Sequence, residues 1–132
     1  MAREAKLRVS NFNSQDLANT AWAFAKVGQL DEELFAALGL EAQRRVSEFN
    51  AQNLANTTWA FATLGHLDEE LFGAVAREAP RRVSEFSAQE LANTAWAFAT
   101  LGQLDEELFR ASAREAQWRM SEFNAQDLAN TA

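Results

Sequence analysis

Apolar residues recur at helical spacing along the chain. On a wheel of about 100° per residue, Leu17, Ala18, Ala21, Phe24 and Ala25 form a broad apolar arc, while Gln15, Asn19, Ala23 and Lys26 line up opposite. That pattern predicts a helix buried on most of its circumference. A second predicted helix sets Leu34, Phe35, Leu38, Ala42 and Val46 against outward Glu41, Arg44, Arg45 and Glu48, the signature of an amphipathic outer helix. The two are termed helix A and helix B.

The pair repeats. Trp22, Trp59 and Trp96 stand 37 residues apart, as do Gly28, Gly65 and Gly102. Full units cover residues 13–49, 50–86 and 87–123. Residues 1–12 match the end of a preceding unit, since Ala2-Arg3-Glu4-Ala5 parallels Ala76-Arg77-Glu78-Ala79 and Val9-Ser10 parallels Val83-Ser84. Residues 124–132 match the start of a fourth, a truncated helix A. The chain is expected to be a segment of a longer array.

Local signals bound each helix. Asn13, Asn50 and Ser87 are placed to cap helix A, each three residues ahead of Asp16, Asn53 or Glu90, and each follows a phenylalanine able to staple onto Leu17, Leu54 or Leu91. The glycines after helix A supply the left-handed residue that closes a helix without steric cost. Asp31, Asp68 and Asp105 open helix B, with Leu30 expected to staple onto Phe35. Connections this short force neighbouring helices to run antiparallel. The expected fold is all-α, a right-handed α-solenoid of helix-turn-helix repeats with helix A on its inner wall. Pro80 replaces Gln43 and Gln117 of the sister units; it removes a backbone donor and crowds the carbonyl of Ala76, so helix B of the second unit should bend or break.

Composition narrows the chemistry. There is no Cys and no Tyr, the single His66 occupies a turn position held elsewhere by Gln29 and Gln103, and no phosphate-loop or nucleophile motif occurs. A binding role is expected, with no enzyme activity, cofactor, metal, membrane or small-molecule substrate. The net charge of −7 opposes indiscriminate binding of polyanions, but the charges are segregated. The Asp-Glu-Glu triplets at 31–33, 68–70 and 105–107 supply nine of the 19 acidic residues and lie where helix B begins, suiting the positive end of its dipole. The opposite edge carries Lys6, Arg8, Arg44, Arg45, Arg81, Arg82 and Arg119 beside the N-termini of helix A, where phosphates are attracted. A solvated alternative pairs Glu41 with Arg45, Glu78 with Arg82 and Glu115 with Arg119.

Asn19, Asn56, Asn93 and Asn130 form a column inside helix A, where Asn is mildly unfavourable. Either the amides bond to the neighbouring repeat or they present their edges to bases. The indoles of Trp22, Trp59 and Trp96 border the same stripe, where they either enter the core or stack a base.

The phrases FNAQNLANTTWAFATLG and FSAQELANTAWAFATLGQLDEELF resemble the organellar octotricopeptide and heptatricopeptide helical repeats, relatives of FAST-kinase-like proteins. The 37-residue period is similar to the heptatricopeptide form. The resemblance spans nearly the whole chain. It implies a single-stranded-RNA-binding α-solenoid of a mitochondrion or chloroplast, acting in transcript processing, stability or translation. The RNA-facing positions it implies are Gln15, Asn19 and Lys26, Gln52, Asn56 and Thr63, and Gln89, Asn93 and Thr100. Asp16, Asn53, Glu90 and Asp127 are the positions through which the units could differ in the base they read. Arg44, Arg45, Arg81, Arg82 and Arg119 would hold phosphates. The alternative is a protein-protein interaction scaffold within a larger assembly, to which the acidic net charge is no obstacle.

Overall fold

The computed structural model describes the backbone of residues 8–131 and the side chains of residues 8–121; Lys6 and the side chains of Asp127 and Asn130 lie outside them. Among the described residues the structure is all-helical. Helix A of the three units is α1 (Ser14–Lys26), α3 (Ala51–Thr63) and α5 (Ala88–Thr100), and helix B is α2 (Glu32–Arg44), α4 (Glu69–Glu78) and α6 (Glu106–Thr131). Short 3-10 segments at Val9–Asn11, Val46–Glu48 and Ala79–Glu85 lead into each helix A.

The start of every helix A is fixed by a reciprocal cap. Asn13 Oδ1 accepts from the Asp16 amide at 2.7 Å while the Asn13 amide donates to Asp16 Oδ2 at 3.1 Å. Asn50 with Asn53, and Ser87 with Glu90, repeat the arrangement. Each such cap contributes about 1 kcal/mol. The ends are equally local: Gly28, Gly65 and Gly102 adopt φ of 68°, 67° and 72°. The amide of each next residue donates to a phenylalanine carbonyl inside the helix, as Gln29 does to Phe24 at 2.9 Å, which closes a Schellman motif. Helix B is capped by Asp31, Asp68 and Asp105, whose Oδ1 atoms accept from the amides of Leu34, Leu71 and Leu108. The leucines before these caps are exposed, Leu104 most of all at 75 %.

Successive units pack in register. α1 lies on α3 and α3 on α5, while α2 meets α4. Phenylalanines join one unit to the next: the rings of Phe35 and Phe61 are 4.8 Å apart, as are those of Phe72 and Phe98, and each of these four rings is almost wholly buried. A tilted aromatic pair adds about 0.5–1.5 kcal/mol beyond its buried area. His66 packs edge-on against Phe35 and Phe61, a structural position between two units. Gly39 sits inside α2 where a Cβ would fall 2.1 Å from Asp68 Oδ2, so its missing side chain admits the cap of α4. Ala76 takes the matching place in α4, and there a space of ≈ 220 Å³ separates it from Asp105.

Two helix B segments depart from the first. α4 has 10 residues against 13 in α2 and passes into a 3-10 run that contains Pro80. The break follows from the donor that proline lacks. α6 continues unbroken through the expected unit boundary at residue 123, so that no separate fourth helix A begins there. No glycine or proline interrupts residues 106–131, so nothing in the local sequence stops the helix from propagating.

Candidate functional site

One stripe of helix A is open in every unit, and in the middle unit it is the only open one among the described residues. α3 is buried on most sides, and its open residues are Gln52 and Thr63, exposed, with Asn56 and Trp59, half-buried. These lie four, three and four residues apart, one face of a helix. The corresponding residues of α1 are Gln15, Asn19, Trp22 and Lys26, and of α5 Gln89, Asn93, Trp96 and Thr100. Since α1, α3 and α5 pack side by side, glutamine, asparagine and tryptophan each form a row across three helices. All nine inner-stripe positions expected from the sequence are accessible.

The tryptophans are the members of this face that the inner-stripe set left out. Trp22 and Trp96 are 41 % and 46 % exposed, so they are not core residues; Trp59 is half-buried against the core. Their spacing from the glutamines and asparagines carried the signal, because positions 15, 19, 22 and 26 fall on one side of a helix more closely than 15, 19, 23 and 26 do. Lys26 Nζ lies 5.3 Å from the centre of the Trp22 ring, within cation–π range.

Among the described residues the asparagine column does not bond between repeats. Among the described residues the amides of Asn19, Asn56 and Asn93 have no protein hydrogen-bond partner, so their donors and acceptors remain available at the surface. Asp16, Asn53 and Glu90 are placed otherwise. Each closes a cap through its side chain, and Asn53 is buried. The variable residue of each unit is thereby tied to its own helix terminus.

The arginine edge divides into two groups. Arg44 and Arg81 have side chains 66 % and 74 % exposed and pair with Glu41 at 3.7 Å and Glu78 at 3.2 Å. Arg45, Arg82 and Arg119 turn inward. Arg45 Nη2 donates to the carbonyl of Phe12 and Arg119 Nη2 to that of Phe86, each carbonyl belonging to the preceding unit. Arg119 also pairs with Glu115 at 3.0 Å, and Arg82 is held between Glu78 and Glu85 at 3.4 Å. The outward placement expected for Arg45 is thus corrected: its guanidinium is held by the Phe12 carbonyl, an acceptor that the preceding unit supplies.

The face therefore joins planar rings, unpartnered amides and, at Lys26, a cation, a combination suited to hydrogen-bonding and stacking planar polar ligands. No curated protein matches the chain. A family model described as RNA-editing substrate-binding complex 6 protein, RESC6, matches residues 1–132, its whole length. The chain belongs to the RNA-editing substrate-binding complex 6 protein family.

Proposed function

We propose that this chain is a single-stranded-RNA-binding module of a larger RNA-editing assembly, built as a right-handed α-solenoid and binding without catalysis. The observation that carries the reading is the face of aligned amides and indoles, open in all three units and unpartnered at its asparagines. Bases would stack on Trp22, Trp59 and Trp96 while glutamine and asparagine side chains reach their edges. Arg44, Arg81 and Lys26 would meet phosphates. With the variable cap residues occupied, the module would tolerate sequence variation in its RNA. Membership of this family supports an RNA-related role among protein partners, and of the two organelles the resemblance implied, the mitochondrion is the one compatible with it.

A protein-scaffold role is the second reading, favoured by the net charge of −7. Titration of the whole chain with a labelled single-stranded RNA oligomer over a series of salt concentrations separates the two. RNA binding predicts saturable association with quenching of tryptophan fluorescence and an affinity that falls as salt rises. No association at low salt would leave the scaffold reading.

A further inference from the structure

A leucine stands in the turn between helix A and helix B of every unit, and Leu30, Leu67 and Leu104 are all exposed. The turn itself does not need them, because the positive-φ glycine two residues earlier and the aspartate cap one residue later already specify it. Beside two of these leucines the stacking of units leaves a hollow. Ala36 and Leu40 of α2 border Leu67 and Asp68 of the next unit across ≈ 480 Å³. One unit on, Gly73 and Ala76 of α4 border Leu104 and Asp105 across ≈ 220 Å³. In the first hollow Leu40 and Leu67, 51 % and 38 % exposed, form an apolar floor open to solvent.

The rim of that floor is acidic. Glu69 and Glu70 line it and are exposed, and no lysine or arginine does. Among the described residues neither glutamate forms an ion pair, whereas Glu41, Glu78 and Glu115, further along the same set of helices, each hold an arginine. The helix dipole accounts for carboxylates at the start of α4 but not for the leucines beside them. The second hollow shows what the combination accepts. There the guanidinium of Arg77 lies 3.7 Å from where a Gly73 Cβ would stand, so a cation of the chain itself approaches that hollow. Leu40 takes the place of Arg77 in the first unit, which leaves the larger hollow without such a cation.

We propose that the hollow between the first and second units seats an arginine-rich segment of a partner protein, one arginine laying its aliphatic stem on Leu40 and Leu67 and turning its guanidinium toward Glu69 and Glu70. The occupant follows from charge and shape together. An arginine combines an apolar stem with a planar cation, the two chemistries that the floor and the rim present. The net charge of −7 adds attraction at a distance. The same carboxylates repel an anionic ligand, so this edge is a separate site from the amide and indole face of helix A, and the two roles stand or fall separately.

Fluorescence anisotropy of the whole chain with a labelled peptide, Arg-Leu-Arg-Leu-Arg-Leu-Arg, tests this. Saturable binding is expected, weakened about 10-fold or more when citrulline, uncharged but of the same shape, replaces each arginine. Leu40→Ser with Leu67→Ser, at exposed sites and with no change of charge, should weaken it by about 10-fold. Leu40→Arg reproduces in the first unit the residue that the second carries at Arg77 and should close the seat; it is the reserve variant should circular dichroism show the double serine misfolded. Glu69→Gln with Glu70→Gln should weaken binding similarly, while Glu48→Gln with Glu85→Gln, the same loss of charge at the opposite edge, should change it less than about 2-fold. Three results would each overturn the proposal: no saturable binding, folded leucine variants that bind like the parent, or equal losses from the two glutamate pairs, which would mean diffuse attraction only.

Discussion

Arg119 reaches back 33 residues to donate a hydrogen bond to the main-chain carbonyl of Phe86, and Arg45 makes the same bond to Phe12 across the same interval. Two of the six edge arginines are therefore ties between units. A hydrogen bond from a charged donor contributes about 1.5–3 kcal/mol. Arg45→Gln and Arg119→Gln should each lower the unfolding free energy measured by urea titration by about 1–2 kcal/mol, within that range after partial exposure is allowed for. Arg44→Gln and Arg81→Gln, at outward sites, should change it by less than about 0.5 kcal/mol.

The indoles give a sharper test of the RNA-binding face than the arginines do. Base stacking on an aromatic residue contributes about 1–3 kcal/mol, so Trp22→Ala or Trp96→Ala should weaken oligomer affinity by about 5- to 100-fold. Phenylalanine at either position should restore much of the loss. Arg44→Gln with Arg81→Gln should instead reduce the slope of affinity against salt by up to about 2. Isothermal titration at several salt concentrations reads both effects.

Gly39 and Gly73 both lie within helix B, yet they should respond oppositely to alanine. Gly73 has open space around it, its nearest neighbour for a Cβ being the end of Arg77 at 3.7 Å. Gly73→Ala should gain the helix-propensity difference of about 1 kcal/mol and raise the Tm by about 3–5 °C. Gly39→Ala would drive Asp68 off its position and disturb the cap of α4, cancelling the gain; its Tm should stay level or fall.

Pro80→Gln should let α4 run on as α2 does, with the new amide donating to the carbonyl of Ala76. Hydrogen exchange at residues 80–82 should slow, and stability should rise by about 1 kcal/mol, less than the ~3 kcal/mol of a proline held in an intact helix, because the 3-10 run already relieves the clash. Unchanged exchange would mean that the break has another origin.

The features legible in the sequence are those decided within one turn of chain. Asn13 with Asp16, Asp31 with Leu34 and the glycine at 28 each specify a boundary through contacts between near neighbours, and Pro80 acts on its own helix. The sequence pairs Arg45 with Glu41 correctly, but the bond to Phe12 joins different units, and no periodicity reports which carbonyl an inward guanidinium meets. Trp22 and Trp59 are identical residues in matching positions with different exposure, because exposure depends on the number of neighbours. The continuity of α6 was hidden for the same reason: Asn124 carries a cap residue's chemistry, but a cap forms only where the chain leaves the preceding helix.

Packing of α1 on α3 and α3 on α5 makes cooperativity a function of position along a line. Among the described residues the middle helix A gains a helix A neighbour on each side and the other two on one, so exchange of backbone amides should be slowest in α3 and quicker in α1 and α5. The molecule then melts as a zipper opening from its ends, and each added unit would raise the resistance of the centre while leaving the terminal fraying as it is.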